Sequence, residues 1–356
     1  MAFGAATAES GVTGILSWRA DAHLRMSRRW LVVQRVVIAI AIAIAIVVVV
    51  AVVAACRGGD RTGDADAPEA SALRSALRSA LRSALRSAPI VDDFGDTLRM
   101  EAPPTRIVSL NPATTEILFA IGAGARVVGR TTWDLYPDSA RAVADLGAGL
   151  RPNVEAVLAA RPQLVILYAS DDNRSAARTL RRAGIQTLTL RIDRIAEFVR
   201  ATRLVGIAIG DTVRARHVID SVQRTLDRVR RATAALTAPT VLWRVWDRPL
   251  LVIGGGSYLS ELAAIAGGRN VYADLPQPSP AVTTEDVLKR DPQFILTSPG
   301  GEAAWKTSAT WRGLAAVRAE RVLIVDTALV GRPAVRLGEA AVSLARLLHP
   351  GLVLPP

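Results

Sequence analysis

Short apolar runs alternate with segments of helical spacing through most of the chain. "RIVSL" (residues 106–110) and "QLVILYA" (163–169) have the length of strands, and the second is unbroken, as in a strand buried on both faces of a sheet. Between them, "TTEILFAIGA" (114–123) places apolar residues at helical spacing after a threonine. This alternation predicts an α/β fold with mostly parallel sheets.

One unit of the pattern occurs twice. "VEAVLAARPQLVIL" (154–167) and "TEDVLKRDPQFIL" (284–296) match at constant spacing, and Glu155 corresponds to Glu285. A second match pairs "RIVSLNPATTEILFAIGAGARVVGR" with "LLVIGGGSYLSELAAIAGGRNVYAD" at a wider spacing, so that Ile107 corresponds to Val252 and Glu116 to Glu261. The repeat predicts two similar Rossmann-like lobes, and the difference in spacing predicts an insertion in the first lobe that contains "TTWDLYPDSARAVADLGAG".

A long segment without glycine separates the two halves. Residues 211–238 follow one helical pattern, and a helix of about 25 residues would be about 38 Å long. We therefore expect a rigid connecting helix between an N-terminal lobe at residues 91–210 and a C-terminal lobe at residues 239–356, with a ligand cleft between the lobes.

The start of the chain has a different pattern. A basic segment precedes a long apolar run and small residues that end at Cys56, the single cysteine of the chain. Residues 26–56 resemble a bacterial lipoprotein signal peptide, with Cys56 as the lipidated residue, and residues 1–25 are predicted to be an upstream extension. The alternative is an uncleaved transmembrane anchor, since the run is long enough to span a bilayer.

In both cases the rest of the protein is expected to be exported and tethered, facing the periplasm or the extracellular side. Residues 57–90 contain an invariant "SALR" repeat. Four residues do not match the helical period, so leucine drifts around the surface. We interpret the segment as a low-complexity linker, and a basic helix on the membrane surface is the alternative.

Composition excludes several classes of function. The net charge is +12 over 356 residues, but arginine is spread along the chain and no recognition motif accompanies it, so nucleic acid is not an expected partner. No nucleophile elbow or paired-carboxylate motif is present, so we do not expect an enzyme. Three scattered histidines do not predict a metal site. "GGGS" (254–257) lacks the lysine of a P-loop and predicts a tight turn with N–H groups near the ligand.

Two α/β lobes joined by one long helix, behind an export signal, resemble the class III substrate-binding proteins of ABC importers for cobalamin, haem and ferric siderophores. The resemblance extends from "VDDFGDTLRMEAPPTRIVSL" at residue 91 to "VDTALVGRPAVRLGEAAVSLARLLHP" at residue 350. It implies a receptor without a cofactor of its own. Such a receptor captures a small-molecule complex of cobalt or iron and delivers it to a dimeric ABC permease with its ATPase subunits.

The resemblance also implies two docking residues. In the family, each lobe presents one surface glutamate to arginines of the permease, and Glu155 and Glu285 stand at these positions. A carboxylate in the first turn of a helix is stabilised by the helix dipole and can accept bidentate contacts from arginine. The alternative is that each glutamate only caps its helix.

Ligand-binding residues follow from the same resemblance. "GRTTWDLYP" matches the segment that brings an aromatic ring to the cleft, and Trp133 takes that place; a Trp packed under the inserted loop is the alternative. "VLWRVWDRP" brings Trp243 and Trp246 near the cleft, and we expect one of the two in the core. Arg332 corresponds to a cleft arginine of cobalamin-binding members, suited to a phosphate, amide or propionate group.

Cobalamin or a related corrinoid is the expected ligand. Cobalamin-binding members carry Trp, Trp and Asp where this chain has Gly149, Ser279 and Ala328, so a ferric siderophore stays open as an alternative. Haem would need an axial histidine or tyrosine, for which Tyr136 is the candidate. An alternative of another class is a lipid-anchored sensor or scaffold that no longer binds a ligand.

Overall fold

A computed structural model describes residues 89–354, which all belong to one compact unit, Leu77–Pro356. The predicted signal peptide, the SALR repeat and Cys56 lie outside the described residues. The strands are β1 (Ile90–Val91), β2 (Thr97–Leu98), β3 (Ile107–Leu110), β4 (Val127–Gly129), β5 (Leu164–Tyr168), β6 (Gln186–Leu190), β7 (Thr240–Asp247), β8 (Leu250–Val252), β9 (Arg269–Asn270), β10 (Phe294–Thr297) and β11 (Val322–Ile324).

The helices connect these strands in the predicted alternation. They are α1 (Pro112–Ala120), α2 (Val154–Ala159), α3 (Asp171–Arg182), α4 (Ile195–Ala208), α5 (Thr212–Thr233), α6 (Tyr258–Ile265), α7 (Thr284–Arg290), α8 (Glu302–Thr307), α9 (Ala315–Arg318), α10 (Thr327–Val330) and α11 (Leu337–Leu348). Among these helices of residues 89–354, none combines the length and apolar character needed to cross a membrane.

The first lobe is built on a four-stranded parallel sheet in the order β4-β3-β5-β6. Every residue of β3 is buried, as are Leu164, Val165, Ile166 and Leu167 of β5. Such continuous burial requires cover on both faces, which explains why these strands appear in the sequence as unbroken apolar runs. The predicted α/β class with parallel sheets is confirmed.

The second lobe contains a sheet in the order β11-β10-β7-β8, with β9 paired to β7. Strands β7, β9, β10 and β11 are parallel, whereas β8 folds back antiparallel on β7. The sequence match that pairs Ile107 with Val252 is therefore wrong at this strand. Its counterpart in the sheet is β7, since β7 and not β8 pairs in parallel with β10, as β3 does with β5.

The long helix α5 contacts both lobes. It has 22 residues, or about 33 Å, and ends at Thr233, before the predicted bound at residue 238. Asp211 begins it by accepting a hydrogen bond from the backbone N–H of Arg214. It packs against α4 on one side and against α6 and α11 on the other. Its buried apolar positions have helical spacing and are Ala215, Ile219, Val222, Leu226 and Val229.

One apolar cluster continues through this helix. It extends from Ile107 in the first sheet, past Leu226 in α5, to Val241 in the second sheet. Burial on two sides leaves α5 little freedom to bend, because a kink would open gaps in a close-packed interior. The carboxyl ends of both sheets are where a doubly wound fold places its ligand.

Candidate functional site

Arg332 joins the two lobes. It follows α10 of the second lobe, and its Nη1 lies 3.4 Å from Glu116 Oε1 on α1 of the first lobe. The same nitrogen lies 3.3 Å from the backbone oxygen of Trp133. Arg332, which sequence comparison assigned to the cleft, therefore lies where the lobes meet, next to the predicted aromatic residue.

Glu116 is the residue that sequence reasoning missed at this point. It is 2% exposed, and its Oε2 has no hydrogen-bond partner among the described residues. Burial raises the pKa of Glu116 to about 7, although the positive charges of Arg332 and Arg336 lower it. The signal was present in the repeat, which pairs Glu116 with Glu261, but a glutamate on a helix is usually solvent-exposed.

Trp133 is exposed on a loop that a neighbouring buried carboxylate anchors. Its side chain is 64% exposed, so the alternative in which it packs under the loop is wrong. The adjacent Asp134 is fully buried and accepts hydrogen bonds from Thr115 Oγ1 and Thr131 Oγ1, both at 2.5 Å. Burial raises the pKa of Asp134, and these hydrogen bonds oppose that shift. The carboxylate thus anchors the inserted loop to α1 and presents the indole to solvent.

Tyr136 lies on the same loop and also contacts the second lobe. The guanidinium of Arg336 lies 4.6 Å from the centre of the Tyr136 ring, within the range of a cation–π contact. Arg336 Nε is also 3.0 Å from Glu339 Oε2 in the first turn of α11. One face of the Tyr136 ring is therefore covered by a cation. The role of Tyr136 as an axial ligand stays a prediction.

The two tryptophans of β7 have different environments. Trp243 is 5% exposed and belongs to the apolar cluster that joins the lobes, so it is withdrawn as a ligand-binding candidate. Trp246 is 62% exposed. The pairing of β7 with β10 ends at Trp243, and Trp246 lies on the part of the strand that continues beyond it. Of the two rings, Trp246 is the one available at the carboxyl edge of the sheet.

Arg244 lies between these two tryptophans in the sequence and is a second residue that sequence reasoning missed. It is buried, and its Nε donates to Thr297 Oγ1 at 2.9 Å while its Nη2 donates to Ser298 Oγ at 3.2 Å. Its Nη1 forms an ion pair with Asp247. A Cβ atom at Gly301 would lie 2.0 Å from Arg244 Nη2, so this packing requires glycine. Arg244 therefore ties the carboxyl end of β7 to the carboxyl end of β10.

A second arginine crosses between the lobes at the equivalent place. Arg194 follows β6 of the first lobe and forms an ion pair with Glu261 on α6 of the second lobe. Arg194 also donates to the backbone oxygen of Gly255 at 3.0 Å. The two crossing pairs, Arg194 with Glu261 and Arg332 with Glu116, follow the symmetry of the internal repeat.

The glycine turn at residues 254–257 is packed closely against the backbone of residues 273–277. A Cβ at Gly254 would lie 2.1 Å from the oxygen of Gln277, and the N–H of Gly255 donates to the oxygen of Leu275 at 2.7 Å. The expectation that this turn offers N–H groups to the ligand is therefore wrong at Gly255. Within residues 89–354, no three His, Cys, Asp or Glu side chains converge as a metal site.

Glu155 and Glu285 are exposed in the first turns of α2 and α7. Neither of them caps its helix. Asn153 accepts the hydrogen bond from the N–H of Ala156 at 3.1 Å, and Thr283 accepts the one from Asp286 at 3.2 Å. No ion pair joins either glutamate to another residue of the described range. Both carboxylates are therefore available to an external partner.

Comparison with known proteins gives consistent matches. A family model described as periplasmic binding protein matches residues 107–329. An uncharacterized ABC transporter substrate-binding lipoprotein of Bacillus subtilis, YvrC, is 30% identical over 269 residues, which are 73% of this chain and 85% of the relative. The vitamin B12-binding protein of Vibrio cholerae is 29% identical over 244 residues, 67% of this chain and 87% of the relative. The periplasmic haem-binding protein RhuT from Roseiflexus sp. RS-1 superposes with a TM-score of 0.62 at 25% identity, covering 68% of this chain and 97% of RhuT.

Proposed function

Because the chain belongs to the periplasmic binding protein family and is the substrate-binding protein of an ABC transporter, we propose that its ligand is cobalamin or a related corrinoid. The observation that carries the proposal is the exposed ring of Trp133, whose backbone oxygen lies 3.3 Å from Arg332 Nη1 at the junction of the lobes. A broad indole face suits a planar macrocycle, and a guanidinium suits its phosphate or amide groups. The vitamin B12-binding relative supports the same ligand.

Trp246 completes the proposed site from the second lobe. Both tryptophans are more than half exposed, although an indole is one of the largest apolar side chains and is highly buried on average. We propose that these two rings face each other across the cleft and hold a flat ligand between them. Because α5 is packed on both sides, we propose that capture involves only limited motion of the lobes.

Delivery to the permease is proposed to use Glu155 and Glu285. Equivalent helices of the two lobes present these carboxylates. Within residues 89–354, neither carboxylate caps its helix or forms an ion pair. A permease dimer with one arginine cluster on each subunit would match this arrangement. We propose that ATPase subunits complete the importer.

We further propose that Cys56 is lipidated and tethers the protein to the membrane after export. The relative in Bacillus subtilis carries the name lipoprotein, and Cys56 is the only cysteine of this chain. Mass spectrometry of protein purified from membranes tests the tether, since a lipidated N-terminal Cys56 and a chain that keeps residues 26–55 differ in mass.

An iron chelate is the second candidate ligand, and Gly149 is the observation that favours it. A Cβ atom at this position would lie 2.4 Å from the backbone oxygen of Leu110, so no aromatic ring can replace Gly149 without a shift of the chain. The cleft therefore lacks one ring that cobalamin-binding members carry there. A ferric siderophore needs fewer aromatic rings from the protein than a corrin does. Haem, with Tyr136 as its axial ligand, is the less favoured alternative.

The absorption spectrum of protein purified from its native host tests the proposal. A corrinoid band supports it, whereas a Soret band or a siderophore charge-transfer band would select one of the alternatives. A blank spectrum from protein that also fails to bind added cyanocobalamin would favour the sensor or scaffold.

A further inference from the structure

We propose that Glu116 is an internal anion that occupies Arg332 in the ligand-free protein and that an acidic group of the ligand must displace it. The inference rests on the proposed function, because it takes Arg332 to be a ligand-binding residue. It adds a specificity determinant, since the ligand class favoured is one with a phosphate or carboxylate group.

Arg332 is held loosely by its present partners. One nitrogen, Nη1, serves both Glu116 Oε1 at 3.4 Å and the oxygen of Trp133 at 3.3 Å. Both distances exceed the usual 2.7–3.2 Å of an N–H to O hydrogen bond. Among residues 89–354 the guanidinium therefore keeps unused donors, and its side chain is 23% exposed. A phosphate or carboxylate that accepts two parallel hydrogen bonds would bind it more strongly.

Glu116 cannot follow Arg332 into the cleft. Asn111 caps the start of its helix α1, where the Asn111 side chain accepts a hydrogen bond from the N–H of Ala113 at 3.0 Å. The neighbouring Thr115 is bonded to buried Asp134. The carboxylate would therefore remain buried, and its Oε2 already lacks a hydrogen-bond partner within the described residues. Losing Arg332 would leave an uncompensated charge in the interior, which is strongly unfavourable.

Proton uptake would remove that charge. The charged groups around Glu116 are Arg332 and Arg336, which lower its pKa, and Asp134 and Glu339, which raise it. Burial is the largest influence, and the pKa stands at about 7 with Arg332 in place. If a ligand takes Arg332, the main opposing charge is lost and the pKa rises further, so Glu116 binds a proton near neutral pH.

Glu261 provides the matched control. It has the corresponding place in the repeat and also pairs with an arginine of the other lobe. Its Oε2 accepts from the N–H of Ile195 at 3.3 Å, so both of its oxygens are engaged. Arg194 has a further acceptor in Gly255. This pair is a tie between the lobes, and its arginine is not the one assigned to the ligand.

The test uses two corrinoids that share the ring but differ in the acidic group: cyanocobalamin carries a phosphodiester and dicyanocobinamide does not. Isothermal titration of the full chain at pH 7.5, in buffers of different ionisation enthalpy, gives affinity and proton uptake together. We expect E116Q to bind cyanocobalamin about tenfold more tightly and dicyanocobinamide unchanged, whereas E261Q shows no such selectivity. Wild-type protein should take up a proton with cyanocobalamin only, and E116Q with neither.

Equal effects of E116Q on the two corrinoids, or proton uptake that persists in E116Q, would overturn the inference. If neither corrinoid binds wild-type protein, the proposed ligand is wrong, and the inference is then tested without a ligand. The side-chain Nε–H resonance of Arg332, assigned by its loss in R332K, must shift with a midpoint near pH 7 in wild-type protein and stay constant in E116Q. A resonance that does not respond to pH contradicts the inference for any ligand.

Discussion

Arg194 of the first lobe and Glu261 of the second form an ion pair that corresponds, within the repeat, to the pair of Arg332 with Glu116. Each lobe thus supplies one glutamate from its first helix and one arginine from the segment after its last strand. The pairs differ in burial, because Glu261 is partly exposed and Glu116 is buried. The more exposed pair binds the lobes together, and the buried pair is the one positioned to exchange partners.

R194A is expected to lower the free energy of unfolding by about 1 kcal/mol. The pair is partly exposed, so solvent screens it, and the backbone hydrogen bond to Gly255 adds to the loss. Chemical denaturation measures the change. R216A, which removes an exposed pair with Asp220 within α5, should have little effect; an equal loss in R216A would show that Arg194 has no special role between the lobes.

W133A is expected to weaken cyanocobalamin binding at least tenfold without a change in stability. The side chain is mostly exposed, and the loop is fixed by Asp134, not by the indole. W243A is the contrasting control, expected to lose stability. The Trp243 ring is buried, and its removal should lower the free energy of unfolding by about 3–5 kcal/mol. Fluorescence titration and thermal unfolding of both variants separate the two roles, and unchanged affinity in W133A would remove Trp133 from the site.

Charge reversal at the docking residues should abolish transport while binding stays intact. The E155R/E285R double variant is expected to lower ATP-dependent uptake of cyanocobalamin into proteoliposomes at least tenfold, because each new arginine would repel an arginine of the permease. D171R alters another exposed acid in the first turn of a helix of the first lobe and should transport normally. Normal uptake in the double variant would show that docking uses other residues.

The stability of the protein should fall as pH rises toward neutrality because of Glu116. Its pKa is raised from 4.5 to about 7 in the folded state. The folded protein therefore binds this proton more tightly than the unfolded chain does, and the stabilisation present below pH 4.5 is lost as pH rises through about 7. The contribution is up to ~3 kcal/mol. In E116Q this part of the pH dependence should disappear, as measured by denaturation between pH 4 and 8; an identical profile in both proteins would refute the assignment.

The sequence predicted those parts of the fold that local pattern determines. Strands β3 and β5 lie where the apolar runs predicted them, and helix α1 lies where the helical spacing predicted it. The hairpin of β7 and β8 was missed because "LLVI" has the apolar pattern of either a central or an edge strand. Only the pairing with β10 distinguishes the two possibilities.

The same limit applies to the site. The segments that match the family were enough to propose Trp133, Trp246 and Arg332. The exposure of Trp246 and the burial of Trp243, however, depend on the register of β7 in its sheet. Glu116 and Asp134 were missed because burial of a carboxylate arises from tertiary packing, and their immediate sequence contains no sign of it. Glu155 and Glu285 could be proposed as docking residues because the family resemblance implies such a pair and the repeat marks equivalent positions on the two lobes.

Isothermal titration of the full chain, purified in detergent, with cyanocobalamin tests the central claim most directly. The account predicts one molecule bound per chain, at micromolar or tighter affinity, with binding lost in a W133A/W246A double variant that unfolds like wild type. Absence of binding, or the same affinity in the double variant, would contradict a corrinoid site between the lobes.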